Sequence, residues 1–238
     1  MPARLDVRPY GDTGLLAGVV DEDYETRWST TQTLATAVRD AAPEWLVDLV
    51  ATYDHLFLSF DAVRGDHETA TALLRRLYDG RADSAVPEGR TWEVPVLFGG
   101  AAGPDLGDVA TELDLTAATL IERITQVPWR VRFVAGPVGT PFTDRTDWTA
   151  AVARMRVPRV DVPPGSVALS GSQSIIYPMH SPGGWRLVGR TPLRLLAADP
   201  DSEELVAYRA GDLLRYVAID QPRYDVLQSS DVRLDERQ

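Results

Sequence analysis

The stretch that decides the fold runs from Val162 to Leu196, VPPGSVALSGSQSIIYPMHSPGGWRLVGRTPLRLL. Short apolar runs at Val167 to Leu169, Ile175 to Tyr177 and Trp185 to Val188 are separated by Pro163-Pro164-Gly165 and Ser181-Pro182-Gly183-Gly184. Many short β-type runs with Pro/Gly turns between them are the pattern of a closed, loop-bearing β-barrel. Working outward, Trp129, Val131 and Phe133 alternate with Arg130 and Arg132, and Leu213 to Ile219 follows the turn Ala210-Gly211-Asp212. Ahead of these strands, Pro104 sits in the first turn of a helix from about Asp105 to Leu113, and Thr116 can cap a second helix to about Gln126.

The chain up to Phe98 has a different pattern: strand, helix, strand, strand, helix, strand. Leu15 to Val20 is the first strand, and Thr26 to Ala42 has helical spacing until Pro43 stops it. Leu46 to Val50 and Leu56 to Phe60 are strand-like. Asp66 caps His67 to Tyr78, Gly80 lies just past that helix, and Trp92 to Phe98 is the sixth element. This is the order of a ferredoxin-like two-layer sandwich. The expected class is therefore α+β, with a ferredoxin-like α/β sandwich over residues 1–88, a β-barrel over 89–222 and a loosely held polar tail over 223–238. RADSAVPEGR, Arg81 to Arg90, is the expected linker.

Composition excludes several chemistries. There is no Cys, which removes disulfides and thiol nucleophiles, and no Lys, which removes Walker-type phosphate loops and Schiff bases. A net charge of -11 argues against nucleic acid. No segment approaches the roughly 18 uninterrupted apolar residues of a membrane span, and the opening MPARLDVRPYGD lacks a leader pattern, so a cytoplasmic, soluble protein is expected. The charge is uneven: Arg123 to Leu196 holds ten Arg against three Asp. Guanidinium forks suit carboxylates and phosphates, so this surplus reads either as a site for an anion or acidic partner, or as solvated strand faces.

Within the deciding stretch, Val162-Pro163, Gly165-Ser166-Val167, Gly171, Gln173, Ile176-Tyr177-Pro178, Ser181 to Trp185 and Gly189-Arg190-Thr191-Pro192 resemble the signature of a known family. Its members are described as the B-type component of 5-oxoprolinase, as allophanate hydrolase subunit 1 or as Kip-type sensor-kinase inhibitors. Tyr10-Gly11-Asp12, Tyr53-Asp54, Val94 to Leu106 and Gly211-Asp212 extend the resemblance over most of the chain. It implies a cyclophilin-like barrel and one component of an ATP-dependent hydrolase that opens 5-oxoproline to glutamate. Phosphorylation of the lactam oxygen would make a poor electrophile attackable by water. The implied partners are the C-type component of that enzyme, similar to allophanate hydrolase subunit 2, and its A-type component. ATP is implied, held in the assembled complex, with Mg2+ as its candidate companion.

The alternative is a non-catalytic binding protein of the Kip type. Two departures favour it: the family's His before the first barrel strand is missing from Ile124 to Trp129, and its aromatic glycine-rich loop is replaced by FVAGPVGTPFTD, Phe133 to Asp144. Ile175 also stands where the family has a glycine.

Candidate site residues follow from the residues and the resemblance together. Arg186 and Arg190, four apart and so expected on one strand face, would clamp a carboxylate or phosphate. Gly183 and Gly184 either let a ligand approach the backbone or form a tight turn, Pro182 setting φ and the following glycine taking positive φ. Gln173 would orient an amide beside Ser172, or satisfy neighbouring backbone; Thr191 joins the substrate-binding set. Gly99, Gly100 and Gly103 could make a phosphate nest, although Asp105 would repel an anion there and a plain turn serves as well. His180 is the acid/base candidate, or a surface histidine. The three His match no metal site.

Overall fold

The computed structural model describes residues 4–21, 23–80, 89–136, 138–202 and 204–234. The chain divides into two compact units, Met1–Pro87 and Glu88–Gln238. The linker expected at Arg81 to Arg90 falls, up to residue 88, outside the described residues.

The first unit comprises β1 (Arg4–Pro9), β2 (Gly14–Val20), α1 (Tyr24–Ala41), β3 (Leu46–Ala51), β4 (His55–Phe60) and α2 (His67–Asp79). Its sheet has the order β1-β2-β4-β3, with every neighbouring pair antiparallel. Alternation along the strands sends Leu15, Ala17, Leu56, Leu58 and Phe60 to one face, where they pack with Leu34 and Val38 of α1 and Leu74 of α2. Asp23 and Asp66 cap the two helices, accepting hydrogen bonds from the Thr26 and Thr69 backbone N–H groups at 2.6 and 2.7 Å. The ferredoxin-like order is met in a permuted form. The strand expected after α2, Trp92 to Phe98, belongs to the other unit, and its place at the sheet edge beside β2 is taken by β1, from ahead of it.

The second unit is the expected barrel, closed, with seven strands in the order β10-β7-β6-β13-β5-β12-β9. In chain order its elements are β5 (Thr91–Phe98), α3 (Leu106–Glu112), α4 (Ala117–Gln126), β6 (Trp129–Ala135), β7 (Thr140–Asp144), β8 (Arg159–Val162), β9 (Ser166–Ser170), β10 (Gln173–Ile176), β11 (Ser181–Gly183), β12 (Arg186–Arg190), β13 (Leu213–Ala218) and α5 (Gln221–Ser229). β8 and β11 form a separate two-stranded flap. Trp92, Trp129, Val131, Leu169, Ile176 and Tyr216 are at most 2% exposed and form one cluster with α3 and α4, which fixes the inner face of the barrel. Ala168, Ile175, Tyr177, Trp185 and Leu187 form a second cluster, on the outer face.

Two buried polar groups lock this unit. Asp212 is fully buried and accepts from the Trp92 indole N–H at 2.8 Å and from the Arg90 and Arg209 backbone N–H groups at 2.9 and 3.1 Å, tying together the starts of the parallel pair β5 and β13. The Arg145 guanidinium lies over Trp129 and Trp148 and donates to the carbonyls of Arg123 and Val127, closing the C-terminal end of α4.

The polar tail expected from 223 onward is corrected. Asp220 caps α5 through the Arg223 N–H, Tyr224 and Leu227 are buried, Leu234 joins the barrel core, and Arg194 pairs with Asp231 at 3.0 Å. Tyr224 and Leu227, three apart, lie on one side of the helix, which is how so polar a segment docks.

Candidate binding face on the outer barrel

Register places a polar row across the outer face. Arg130 lies opposite Asp144, Asp144 opposite Gln173, and Gln173 opposite Ser170, so four strands contribute adjacent side chains. The next row is apolar: Phe142, Ile175, Ala168 and Leu187. Phe133 stacks on Phe142 with ring centroids 4.7 Å apart, and Trp185 meets Phe142 edge-on at 6.0 Å. At the polar row, Arg132, 1% exposed, donates to Asp144 at 2.5 Å, so that carboxylate is neutralised in place.

Arg154 reaches the other end of the row. Its Nε donates to the Ser170 Oγ at 3.3 Å and its guanidinium lies 5.6 Å from the centroid of Trp185. The segment carrying it is fixed on both sides, by the Val152–Gly171 bridge and by the Met155 N–H donating to the Gly184 carbonyl at 2.8 Å. Behind it, the Tyr177 hydroxyl rests against the backbone at Gly183. Burial pushes that hydroxyl above its ordinary value, against the pull of the Trp185 backbone N–H and of Arg154 and Arg159.

The expected site residues do not gather in one cavity. Arg186 and Arg190 are four apart, but β12 carries a bulge: Leu187 pairs with Ala168 and Gly189 with Val167, so Val188 is inserted between them. The alternation therefore slips by one. Arg186 shares the inner face with Leu169 and reaches Glu112 of α3 at 3.3 Å, while Arg190 shares the outer face with Ser166 and donates to the Pro164 carbonyl at 2.9 Å. Thr191 is buried and its hydroxyl accepts from the Leu193 N–H.

Gly183 and Gly184 are not a positive-φ turn. Neither has a left-handed backbone, Gly183 lies in β11, and a Cβ there would overlap the Tyr177 hydroxyl. The glycine is used to seat a tyrosine. His180 is 66% exposed beside the flap and its Nδ1 lies 2.9 Å from the exposed Asp161 carboxylate. Gln173 sits in the row, with Ser172 exposed beside it at the hairpin tip.

The glycine loop ahead of α3 does not fit a phosphate. Gly99 and Gly100 are left-handed, as a nest requires, but the Gly99 N–H donates to the Val188 carbonyl and the Gly103 N–H to the Gly99 carbonyl. A Cβ on Gly103 would strike the Val188 carbonyl. Asp105 makes no cap bond to its own helix; it accepts from the Leu187 N–H at 2.7 Å and from Arg159 at 2.8 Å. The loop is a clamp on the β12 bulge. Among the described residues no group of three or more His, Asp or Glu could hold a metal ion.

With this geometry in place, the sequence matches the family described as carboxyltransferase domain, subdomain C and D, over residues 5–206. The chain belongs to this family. It is 38% identical over 136 residues to a protein named as the B subunit of 5-oxoprolinase from Escherichia coli O157:H7, covering 57% of this chain and 62% of that protein. A protein of the same name from Bacillus subtilis is 33% identical over 181 residues, covering 74% of this chain and 72% of the relative. The match thus spans under two thirds of the first relative's length. Among solved structures, TTHA0988 superposes with a TM-score of 0.74 at 29% identity, over 91% of this chain and 41% of that one. The urea amidolyase of K. lactis shares the fold alone, with a TM-score of 0.80 at 15% identity over 97% of this chain and 16% of that one. These relatives support the resemblance to the B-type component of 5-oxoprolinase drawn from the motif run.

Arg132, Asp144 and Arg154 are the face residues that spacing did not single out. Arg132 and Asp144 meet only through the β6–β7 pairing, and Arg154 lies in a stretch with no strand or helix period. Much of the arginine surplus is spent internally: Arg132, Arg145, Arg159, Arg186 and Arg194 all pair with carboxylates. Among the described residues no helix is long and apolar enough to cross a membrane. Chemically, the row offers an amide at Gln173, a hydroxyl at Ser170 and a guanidinium at Arg154, while the acid/base candidate His180 is paired with Asp161.

Proposed function

We propose that this chain is the B-type component of an ATP-dependent 5-oxoprolinase, working with the C-type and A-type components to open 5-oxoproline to glutamate. The observation that carries this reading is the kinship with proteins named as the B subunit of 5-oxoprolinase, one of which matches 74% of this chain, within a family match over residues 5–206. The geometry agrees in kind. A face offering a half-buried amide and an exposed guanidinium can position a lactam, while the groups that cleave it come from other chains. Gln173 lies in the polar row of this face, and an amide there can meet the lactam oxygen with its donor or the lactam N–H with its acceptor. ATP is a reactant of the assembly and is held outside the Gly99 to Gly103 loop, which does not fit it.

The test is reconstitution with the C-type and A-type proteins, following 5-oxoproline-dependent phosphate release and glutamate. Turnover that needs all three proteins is the expected result. Full activity from this chain alone, or failure to assemble, contradicts the reading.

One observation favours a second reading, a non-catalytic inhibitor of the Kip type. Where the family has its histidine, this chain has the end of α4 and the start of β6, with Ile124 and Trp129 fully buried as packing. Assembly of all three proteins without turnover is the outcome that would favour it.

A further inference from the structure

We propose that Arg154 is the carboxylate anchor of the outer barrel face, which takes a small planar amide bearing a carboxylate, the amide lying against Gln173. The identity of that ligand as 5-oxoproline rests on the functional reading above; the anchor itself rests on geometry.

Arg154 differs from the other arginines near it. Arg132, Arg159 and Arg186 are each paired with a carboxylate of this chain, and Arg190 is donated to a carbonyl. Arg154 has its Nε on Ser170 and its plane against Trp185, and among the described residues no carboxylate pairs with it. The two Nη groups, which form a fork matched to a carboxylate, remain for a ligand. An arginine held in this way has already lost part of its rotamer freedom, so less is lost when an anion binds.

The backbone adds to this preorganisation. Val152 exchanges two hydrogen bonds with Gly171, at 3.0 and 2.8 Å, and Met155 is tied to Gly184, so Arg154 is fixed relative to the β9–β10 hairpin that carries Gln173. Ser170 and Gln173 are directly opposed, which puts their Cβ atoms on the order of 5 Å apart. Arg154, bonded to Ser170, and Gln173, opposite Ser170, therefore belong to one stretch of the face. Asp144, the acidic neighbour in the row, is neutralised by Arg132 and so does not repel the incoming anion. The buried Trp185 ring backs the Arg154 guanidinium.

The experiment compares 5-oxoproline with 2-pyrrolidinone, the same ring without the carboxylate. Each is titrated calorimetrically into the whole chain, and KM and kcat for 5-oxoproline are measured in the assembled complex. Arg154→Ala should weaken 5-oxoproline binding and raise its KM by roughly 10- to 100-fold, the loss of a charged hydrogen-bonded contact. It should leave kcat within about twofold, leave 2-pyrrolidinone binding unchanged and leave co-elution with the partner proteins intact. Arg154→Lys, which keeps the charge and loses the fork, should fall between. An unchanged dissociation constant or KM in Arg154→Ala, or an equal loss for 2-pyrrolidinone, overturns the anchor while leaving the functional reading standing. A wild-type assembly without turnover overturns the functional reading, and binding of 5-oxoproline to the chain alone still decides the anchor.

Discussion

At the scale of single residues, Asp212 shows how a buried carboxylate ties the barrel together outside the binding face. Its carboxylate accepts from one indole and two backbone N–H groups with no exposure to water. Asp212→Ala would strand the buried Trp92 indole N–H and two half-buried backbone N–H groups, and the expected loss is about 3 kcal/mol in chemical denaturation. An unchanged midpoint would show that water replaces the carboxylate. Residues differ in how far the sequence discloses them. Gln173 was legible because it follows a glycine turn into a strand, and register then gave it polar neighbours. Arg154 was not, because its position depends on a bridge between Val152 and Gly171 that no local pattern announces. Arg186 and Arg190 were misplaced by one inserted residue.

At the scale of elements, caps and apolar periods were good guides. Asp66 and Thr116 cap α2 and α4 as their positions predict, each accepting from the N–H three residues on. β7 and the flap strands β8 and β11 were missed: they are short, carry polar or proline residues, and are defined by their partners. α5 was hidden by a polar composition in which only Tyr224 and Leu227 are buried. The caps also carry a prediction about acid. Hydrogen bonds from Thr69, the backbone one foremost, hold the Asp66 carboxyl below its ordinary value, and bonds from Thr26 do the same for Asp23. A carboxyl lowered by folding stabilises the folded state above its unfolded value, near 3.8, and that contribution fades as pH falls through the lower folded value. Asp66→Ser keeps a cap without a titrating group, so its acid-unfolding curve should be flatter than the wild type's in that range. Parallel curves would assign the acid sensitivity elsewhere.

At the scale of the whole molecule, the charge balance reads differently once pairing is known. The ten arginines between 123 and 196 suggested a basic face, but five of them are paired with carboxylates, three of which lie outside that segment. A chain of net charge -11 so arranged should pass through a heparin column at about 0.15 M salt, where screening acts within roughly 8 Å. Retention would reveal a cationic surface that these pairs do not account for. The two-part, α+β plan was legible in the change of rhythm near residue 90, whereas the permuted sheet was not: Leu5 and Val7 alternate with Arg4, Asp6 and Arg8 as a strand does, but that period does not say which edge the strand joins. That strand has a consequence for biosynthesis. Because β1 precedes its sheet neighbours, every strand of the first sheet has been translated by the time α2 is complete, so this unit can fold while the ribosome is still making the rest. The barrel has no such freedom. β13 separates β5 from β6, so the ring stays open until Leu213 to Ala218 emerges, and its early strands must wait on the tunnel with their neighbours unmade.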